Sequence, residues 1–125
     1  MTNEELNNLM AEAMEWHIKI YKTLPDAYFS KEGHFVIDCK DWDPTHDPAQ
    51  ALMCADQLSE NDESIEIYIY KRPKRKFRGL WIVGISKRQT TGVLVKATRL
   101  YDKCDIPLDE LPLAICQAIE ESINE

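Results

Sequence analysis

A run of strict alternation in the second half of the chain constrains the fold more than any other feature. Isoleucine at positions 65, 67 and 69 alternates with Glu66, Tyr68 and Tyr70. A period of two is typical of a β-strand, in which successive side chains point to opposite faces. Two further apolar segments follow at residues 79–85 and 92–98. The links between the three segments are short, which favours an antiparallel meander.

Three other segments carry helix signals. Thr2 and Glu5 form a capping box, and apolar residues at helical spacing carry the first helix to the Leu-Pro-Asp sequence at residues 24–26. Asp47 is placed to cap a second helix that has Pro48 in its first position, and a last helix begins near Asp109. The predicted buried stripes are Leu6, Leu9, Met10, Ala13, His17 and Ile20 in the first helix, Ala51, Leu52, Ala55 and Leu58 in the second, and Leu111, Ile115, Ala118, Ile119 and Ile123 in the last.

These elements predict one α+β domain that spans residues 1–125. A β-rich run at residues 34–39 supplies a further strand, so the element order is α-β-α-β-β-β-α around one four-stranded, mostly antiparallel sheet. The segment at residues 79–85 is apolar on both faces. We therefore expect helices on both sides of the sheet, in a three-layer α/β/α sandwich.

Charge is distributed unevenly along the chain. Residues 71–103 contain eleven Lys or Arg and one acid, a net charge of +10, whereas the rest of the chain carries −17. Six of these bases surround Pro73 in the link between the first two meander strands: Lys71, Arg72, Lys74, Arg75, Lys76 and Arg78, with Phe77 among them. At the tip of a hairpin they would contact phosphates while Phe77 stacks on a base. The alternatives are contact with a protein partner, partial neutralisation by the acidic helices, or a solvated turn.

Two other surfaces are candidates for binding. Tyr68 and Tyr70 share a strand face, where they either form a stacking platform or pack beneath a helix. Glu60, Asp62 and Glu63 form an acidic surface after the second helix that would imitate nucleic acid and occupy a basic channel.

No motif in the chain indicates catalysis. The acidic loop from Asp41 to Asp47 does not fit an EF-hand, because His46 and Leu52 stand where Gly and Glu are needed. No serine lies in a Gly-x-Ser-x-Gly turn, and no glycine-rich phosphate loop is present. The cysteines are spaced too widely for a metal site and are typical of small apolar residues: Cys39, Cys54, Cys104 and Cys116. We predict no catalytic residue, metal or cofactor.

Two segments resemble a known family. Residues 42–52, WDPTHDPAQAL, resemble the W-x-P-S-T-D-x-x-A-A pattern of the phage ABA sandwich domain family, with Thr45 and His46 in place of Ser and Thr. Residues 111–119, LPLAICQAI, are similar to the A-P-L-A-I-C-R-A-A segment of its final helix. The resemblance covers most of the chain. It implies a three-layer sandwich and a phage or prophage protein, in a family of undefined molecular role.

The sequence therefore predicts a non-enzymatic binding protein, acting in the cytoplasm of an infected or lysogenic bacterium. The predicted partner is a host or phage protein, with inhibition of a defence complex or nuclease through charged surfaces as the specific hypothesis. One alternative is a nucleic-acid-binding accessory protein that uses residues 71–78. Another is a homo-oligomer formed through an edge strand. No signal peptide is expected, and no apolar segment reaches the roughly 18 residues that a membrane span needs.

Overall fold

The computed structural model describes residues 1–71 and 80–123, with the backbone alone at residues 90, 91 and 94–96. Its helices are α1 (Asn3–Ala13), α2 (Pro48–Asn61) and α3 (Leu111–Ile123). Its strands are β1 (His17–Lys19), β2 (Ala27–Phe29), β3 (Phe35–Asp38), β4 (Ile65–Lys71), β5 (Trp81–Thr91) and β6 (Leu94–Ile106). Short 3-10 turns occupy Cys39–Asp41 and Leu108–Glu110.

The strands form two antiparallel sheets. A small sheet has the order β1-β2-β3, and a large sheet has the order β4-β5-β6. The α+β class and the antiparallel meander of the last three strands are confirmed. The prediction of one four-stranded sheet is wrong for the described residues, because the strand at residues 34–39 pairs with β2 instead of joining the meander.

Helix α3 lies at the centre of the core. It packs against α1, α2, β5 and β6, and its buried residues lie on most sides of the helix, as expected for a helix enclosed by other elements. Those residues are Leu111, Pro112, Ala114, Ile115, Cys116, Ala118 and Ile119. The predicted stripe is confirmed except at Ile123, which is 43% exposed.

The helices share one side of the large sheet. Val83 and Ile85 in β5 belong to the same buried cluster as α3, and the isoleucines of β4 pack against that cluster. The other side of the sheet has no helix over it in the described part of the chain. The predicted three-layer sandwich is therefore replaced, within the described residues, by two layers at the large sheet.

The first helix is shorter than predicted because the chain turns sharply after Ala13. Glu15 adopts φ 63°, and the amides of Glu15 and Trp16 donate to the carbonyls of Glu12 and Ala11 at 2.9 and 3.1 Å. These two bonds form a Schellman motif, which ends a helix. His17 consequently lies in β1 and is exposed, so its predicted place in the buried helical stripe is wrong.

The predicted N-cap residues of the first two helices are confirmed, but the described residues form only the Thr2 half of the predicted capping box. Thr2 Oγ1 accepts a hydrogen bond from the amide of Glu5 at 3.1 Å, and Asp47 accepts from the first amides of α2. The buried face of α2 differs from the predicted one by a small rotation. Leu52 is 50% exposed, whereas Cys54 is buried.

The β5–β6 hairpin is longer than the predicted strands. Thr91 pairs with Leu94, and Gly92 between them adopts φ 63°, the positive value that a tight hairpin turn requires. Irregular register at two points in β6 and a positive φ at Asp105 introduce bulges. The extra residues thus extend the sheet beyond its buried centre.

Candidate functional site

The large sheet presents one face that the described helices leave uncovered. In the ladder, Ile69 pairs with Val83 on the helix side, so Tyr68, which pairs with Gly84, lies on the opposite side. We call this opposite side the open face. Its described residues are Glu66, Tyr68, Tyr70, Ile82, Gly84, Ser86, Arg88, Arg99, Asp102 and Cys104.

Tyr68 lies directly over Gly84. A Cβ atom at Gly84 would stand 1.9 Å from the Tyr68 ring, so the ring occupies the space that any larger residue would fill. The neighbouring Tyr70 ring is tilted by 33° at a centroid distance of 6.4 Å and is 50% exposed. Ile82, the ladder partner of Tyr70, is only 2% exposed. The apolar residue on this face is thus buried without a helix above it in the described chain.

A shallow groove of about 470 Å³ runs across the open face. It is lined by Tyr68, Tyr70, Ile82, Ser86, Arg99, Asp102 and Cys104. The Arg99 guanidinium donates to Asp102 at 2.9 Å but keeps 68% of its side chain exposed. The groove therefore combines aromatic rings with an accessible guanidinium, a set of groups suited to stacking and hydrogen bonding.

Lys and Arg side chains in the strands of the large sheet form ion pairs with nearby acidic side chains. Arg88 forms an ion pair with Glu66, and Lys87 approaches Asp62 at 3.9 Å. These pairs, with Arg99 and Asp102, involve acids of the large sheet and of the turn after α2, so neutralisation of the basic segment by the acidic helices stays a hypothesis. Because all of them are substantially exposed, each contributes little to stability.

The predicted basic segment is attached at the Tyr70 end of the open face. Lys71 is exposed and pairs with Trp81 at the end of the β4–β5 ladder. The antiparallel pairing confirms that the intervening segment connects two strands of a hairpin. The other predicted residues lie outside the described ones: Arg72, Lys74, Arg75, Lys76, Phe77 and Arg78.

Asp62 differs from the other two residues of the predicted acidic surface in its contacts. Glu60 and Glu63 are exposed, but Asp62 belongs to a turn after α2. Its carboxylate accepts hydrogen bonds from Ser64 Oγ at 2.6 Å and Ser64 N at 3.0 Å. These hydrogen bonds and the charge of Lys87 lower the pKa of Asp62 below its ordinary value. Asp62 is thus engaged within the fold.

The acidic loop before α2 is a structural network. Asp43 accepts hydrogen bonds from Asn7 Nδ2 at 3.0 Å and Thr45 Oγ1 at 2.8 Å, and lies 2.9 Å from His46 Nδ1. Partial burial alone would raise the pKa of Asp43, but these hydrogen bonds lower it below its ordinary value. Nearby, the buried Trp42 donates to the carbonyl of Asn7 at 2.9 Å. This network fixes α1 to the start of α2.

Two further features concern the described part of the chain: clusters of metal-ligand side chains and helices that could cross a membrane. No three His, Cys, Asp or Glu side chains there are grouped so that they could hold a metal ion. None of the described helices is both long and apolar enough to cross a bilayer. Comparison of the chain with protein-family models, with curated proteins and with solved structures gave no match.

Sequence reasoning identified the tyrosine pair but missed the glycine beneath it. The signal was present, because placing residues 65–71 antiparallel to residues 81–87 sets Tyr68 opposite Gly84. A glycine opposite an aromatic residue permits the ring to lie across the neighbouring backbone. The role of Gly84 therefore depends on the register of the strands and is not visible in the segment that contains it.

Proposed function

We propose that the chain is a non-enzymatic binding protein that holds single-stranded nucleic acid on its open face. The observation that carries the proposal is the position of Tyr68 over Gly84, beside a half-exposed Tyr70 and next to the attachment point of the basic segment. Aromatic side chains on a sheet bind bases by stacking, and each stacked base contributes about 1–3 kcal/mol.

The charges support the same partner. The chain is acidic overall, yet six bases are concentrated between Lys71 and Arg78. Lys and Arg in this segment would contact phosphates, whereas the tyrosines would contact bases. Exposed Arg99 supplies a further donor in the groove. In this arrangement the Lys and Arg side chains provide affinity for the phosphates, and the aromatic rings favour unpaired nucleic-acid strands.

Fluorescence anisotropy with a labelled single-stranded oligonucleotide tests the proposal. Tyr70→Ala should weaken binding about 5- to 150-fold, the loss that corresponds to one stacked base. Tyr21→Ala is the matched control, because Tyr21 is 40% exposed but lies outside the large sheet. Equal binding by wild type and Tyr70→Ala, or preference for the duplex form of the same oligonucleotide, would count against the open face.

Salt dependence tests the basic segment separately. The triple variant Lys74→Ala, Arg75→Ala, Lys76→Ala should reduce the slope of log affinity against log salt by about 2, because three phosphate contacts are lost. The charge-matched control is Lys22→Ala, Lys31→Ala, Lys40→Ala, which removes three exposed bases elsewhere. If both triple variants lower the slope equally, net charge alone governs binding.

A protein partner is the second candidate, favoured by the outer side of α2. Leu52 and Met53 are 50% and 46% exposed there, and Asp56 and Glu60 are exposed on the same helix. Apolar and acidic residues together would suit a basic protein such as a nuclease, which this surface would inhibit by imitating nucleic acid. A pull-down from bacterial lysate, with and without nuclease, separates the candidates. A protein that survives nuclease treatment and is lost with Leu52→Lys supports the second.

We also propose that the chain is a phage or prophage protein acting in the bacterial cytoplasm. Its support is the resemblance of residues 42–52 and 111–119 to the phage ABA sandwich domain family. In this chain the first segment contains the capped start of α2 and the second forms most of the buried helix α3. The described residues form two layers at the large sheet, whereas the family name implies three. We therefore propose the origin and the place of action of the chain, and not the three-layer fold.

Self-association through an edge strand is a third proposal. Strands β3 and β6 are at the ends of their sheets in the described residues. An exposed edge can pair with a second copy across a two-fold axis. Analytical ultracentrifugation tests self-association over a hundredfold range of concentration, roughly the range in which a dimer of micromolar affinity dissociates. Sedimentation at monomer mass throughout would exclude the dimer.

A further inference from the structure

A second cavity, which shares no lining residue with the groove on the open face, lies between the end of α1 and the small sheet. Its volume is about 410 Å³, and its lining is mostly apolar. The lining residues are Asn8, Ala11, Glu12, Trp16, His17, Ile18 and Tyr28. We propose that this cavity binds a small organic cation with a quaternary ammonium headgroup, held by the rings of Trp16 and Tyr28 and by the Glu12 carboxylate.

The aromatic part of the cavity is held rigidly. The centroids of Trp16 and Tyr28 are 6.3 Å apart and their planes are inclined by 41°, so the rings form an open wedge. Trp42 packs against Trp16 from another direction at a centroid distance of 4.8 Å. Tyr28 Oη donates to Asn8 Oδ1 at 2.8 Å. Trp16 is partly exposed whereas Tyr28 is only 6% exposed, so a cation in the cavity would lie against Trp16 while staying within about 6 Å of both centroids, the range of a cation–π interaction.

Within the described lining, one carboxylate, that of Glu12, borders the cavity. Glu12 is exposed, lines the cavity and has no ion-pair partner among the described residues. It lies in the last turn of α1, which contains no basic residue and in which the helix dipole already disfavours an anion. Burial raises the pKa of Tyr28, and the charges of Cys39, Glu12 and Glu4 raise it further. A bound cation would compensate the charge of the Glu12 carboxylate and would explain its presence at this unfavourable position.

The chemistry of the lining selects the ligand class. An inorganic cation would need several oxygen ligands, whereas the described lining offers one carboxylate, the His17 ring and an Asn8 oxygen that already accepts from Tyr28 Oη. A quaternary ammonium group has no N–H to satisfy, carries a diffuse positive charge and buries methyl groups against aromatic rings. This match between charge and apolar surface favours an alkylated ammonium over a metal ion or a neutral solute.

NMR titration with choline and with 3,3-dimethylbutan-1-ol tests the inference. The alcohol has the shape of choline without its charge, so a cation site should bind choline at least about tenfold more tightly. Shifts of the Trp16 and Ile18 signals should saturate with choline. Equal affinity for the alcohol would show that apolar contact alone is responsible. The absence of saturable shifts up to about 10 mM choline, enough to fill a site of millimolar affinity, would overturn the inference.

Two variants locate the charge that matters. Glu12→Gln should weaken choline binding at least about fivefold without lowering Tm, because it removes an acid from a helix C-terminus. Glu32→Gln, which neutralises an exposed acid in a loop, should change binding by less than about twofold. Equal binding by wild type and Glu12→Gln, or equal losses in Glu12→Gln and Glu32→Gln, would contradict recognition of a cation by Glu12.

The same headgroup occurs in a free solute and in a modified side chain. Choline represents the solute, and the N-acetyl amide of trimethyllysine represents the side chain. Tighter binding of the first assigns the cavity to a small metabolite, and tighter binding of the second assigns it to a methylated protein. Failure of both leaves nucleic-acid binding by the open face unaffected, because the two sites share no residue.

Discussion

The two faces of strand β4 lie in different surroundings although they share one backbone. Ile65, Ile67 and Ile69 pack against the buried cluster around α3. Tyr68 and Tyr70 lie on the other face, where the described chain places no helix. The first face therefore stabilises the fold through burial, whereas the second is available for a partner.

The same contrast extends to β5. Val83 and Ile85 are fully buried on the helix side, and Ile82 is almost as buried on the open face. Residues that are equally buried thus have different neighbours. Val83 and Ile85 face the helices, whereas Ile82 lies beside the two tyrosines of the adjacent strand β4. An apolar residue on the second face of a strand is therefore weak evidence for a second helical layer.

The largest expected difference between the faces is the reactivity of their thiols. Cys54 and Cys116 are buried on the helix side, and burial raises the pKa of Cys54 to about 12 and raises that of Cys116 as well. Cys104 lines the open face and is exposed. Since the thiolate is the reactive form and buried thiols react only after opening, iodoacetamide should label Cys104 at least about a thousandfold faster.

Mass spectrometry of the labelled peptides measures these rates at pH 8. Cys104→Ser should remove the fast phase and leave the slow one unchanged. Rapid labelling of Cys116 in the native protein would mean that α3 does not seal the helix side.

Truncation of a helix-side residue should produce the largest loss of stability. Ile85 is fully buried, so Ile85→Ala should lower the free energy of unfolding by about 3 kcal/mol through lost burial and the cavity left behind. Val93 is 99% exposed in the turn between β5 and β6, and Val93→Ala should stay within about 0.5 kcal/mol of wild type. Urea denaturation distinguishes the two. Similar losses of unfolding free energy in the two variants would contradict the assignment of Ile85 to the interior and Val93 to the surface.

Gly84→Ala should have an intermediate effect that is specific to the open face. The new methyl group would overlap the Tyr68 ring and force it to move, at a cost of about 1–2 kcal/mol. Adding Tyr68→Ala should recover part of that loss, because the overlap no longer exists. A double-mutant cycle measures the coupling. Strictly additive losses would indicate that Tyr68 does not lie over Gly84 in solution.

The smallest effect is expected for the ion pair on the open face. Arg88 and Glu66 are 57% and 45% exposed, so their coupling energy should be below about 1 kcal/mol. Arg88→Gln, Glu66→Gln and the double variant supply the cycle, which is measured at low and high salt. A coupling that exceeds this bound and persists in 1 M salt would mean that the pair is shielded from solvent.

The elements that sequence reasoning found are those defined by local chemistry. The alternation at residues 65–70 predicts β4, and the side chain of Asp47 predicts the start of α2. Strand β1 was missed because the apolar spacing of α1 continues past its true end, and β2 is only three residues long. The end depends on a positive φ at Glu15, which a non-glycine residue seldom adopts.

The candidate site was predictable only in part. Tyr68 and Tyr70 were recognised as a pair on one face, but their exposure depends on where the helices pack. That packing is a long-range property, since α3 lies about forty residues later in the chain and yet forms the core for β5 and β6. Alternation therefore assigns residues to a face, whereas tertiary contacts decide what covers the face.

Amide NMR mapping with an unlabelled single-stranded oligonucleotide tests the central claim most directly, because it locates the binding surface without any substitution. The predicted result is a set of shifted amides centred on Tyr68, Tyr70 and Gly84, with the amides of α2 unchanged. Shifts confined to the outer side of α2, or no shifts at all, would contradict the assignment of the open face as the working surface.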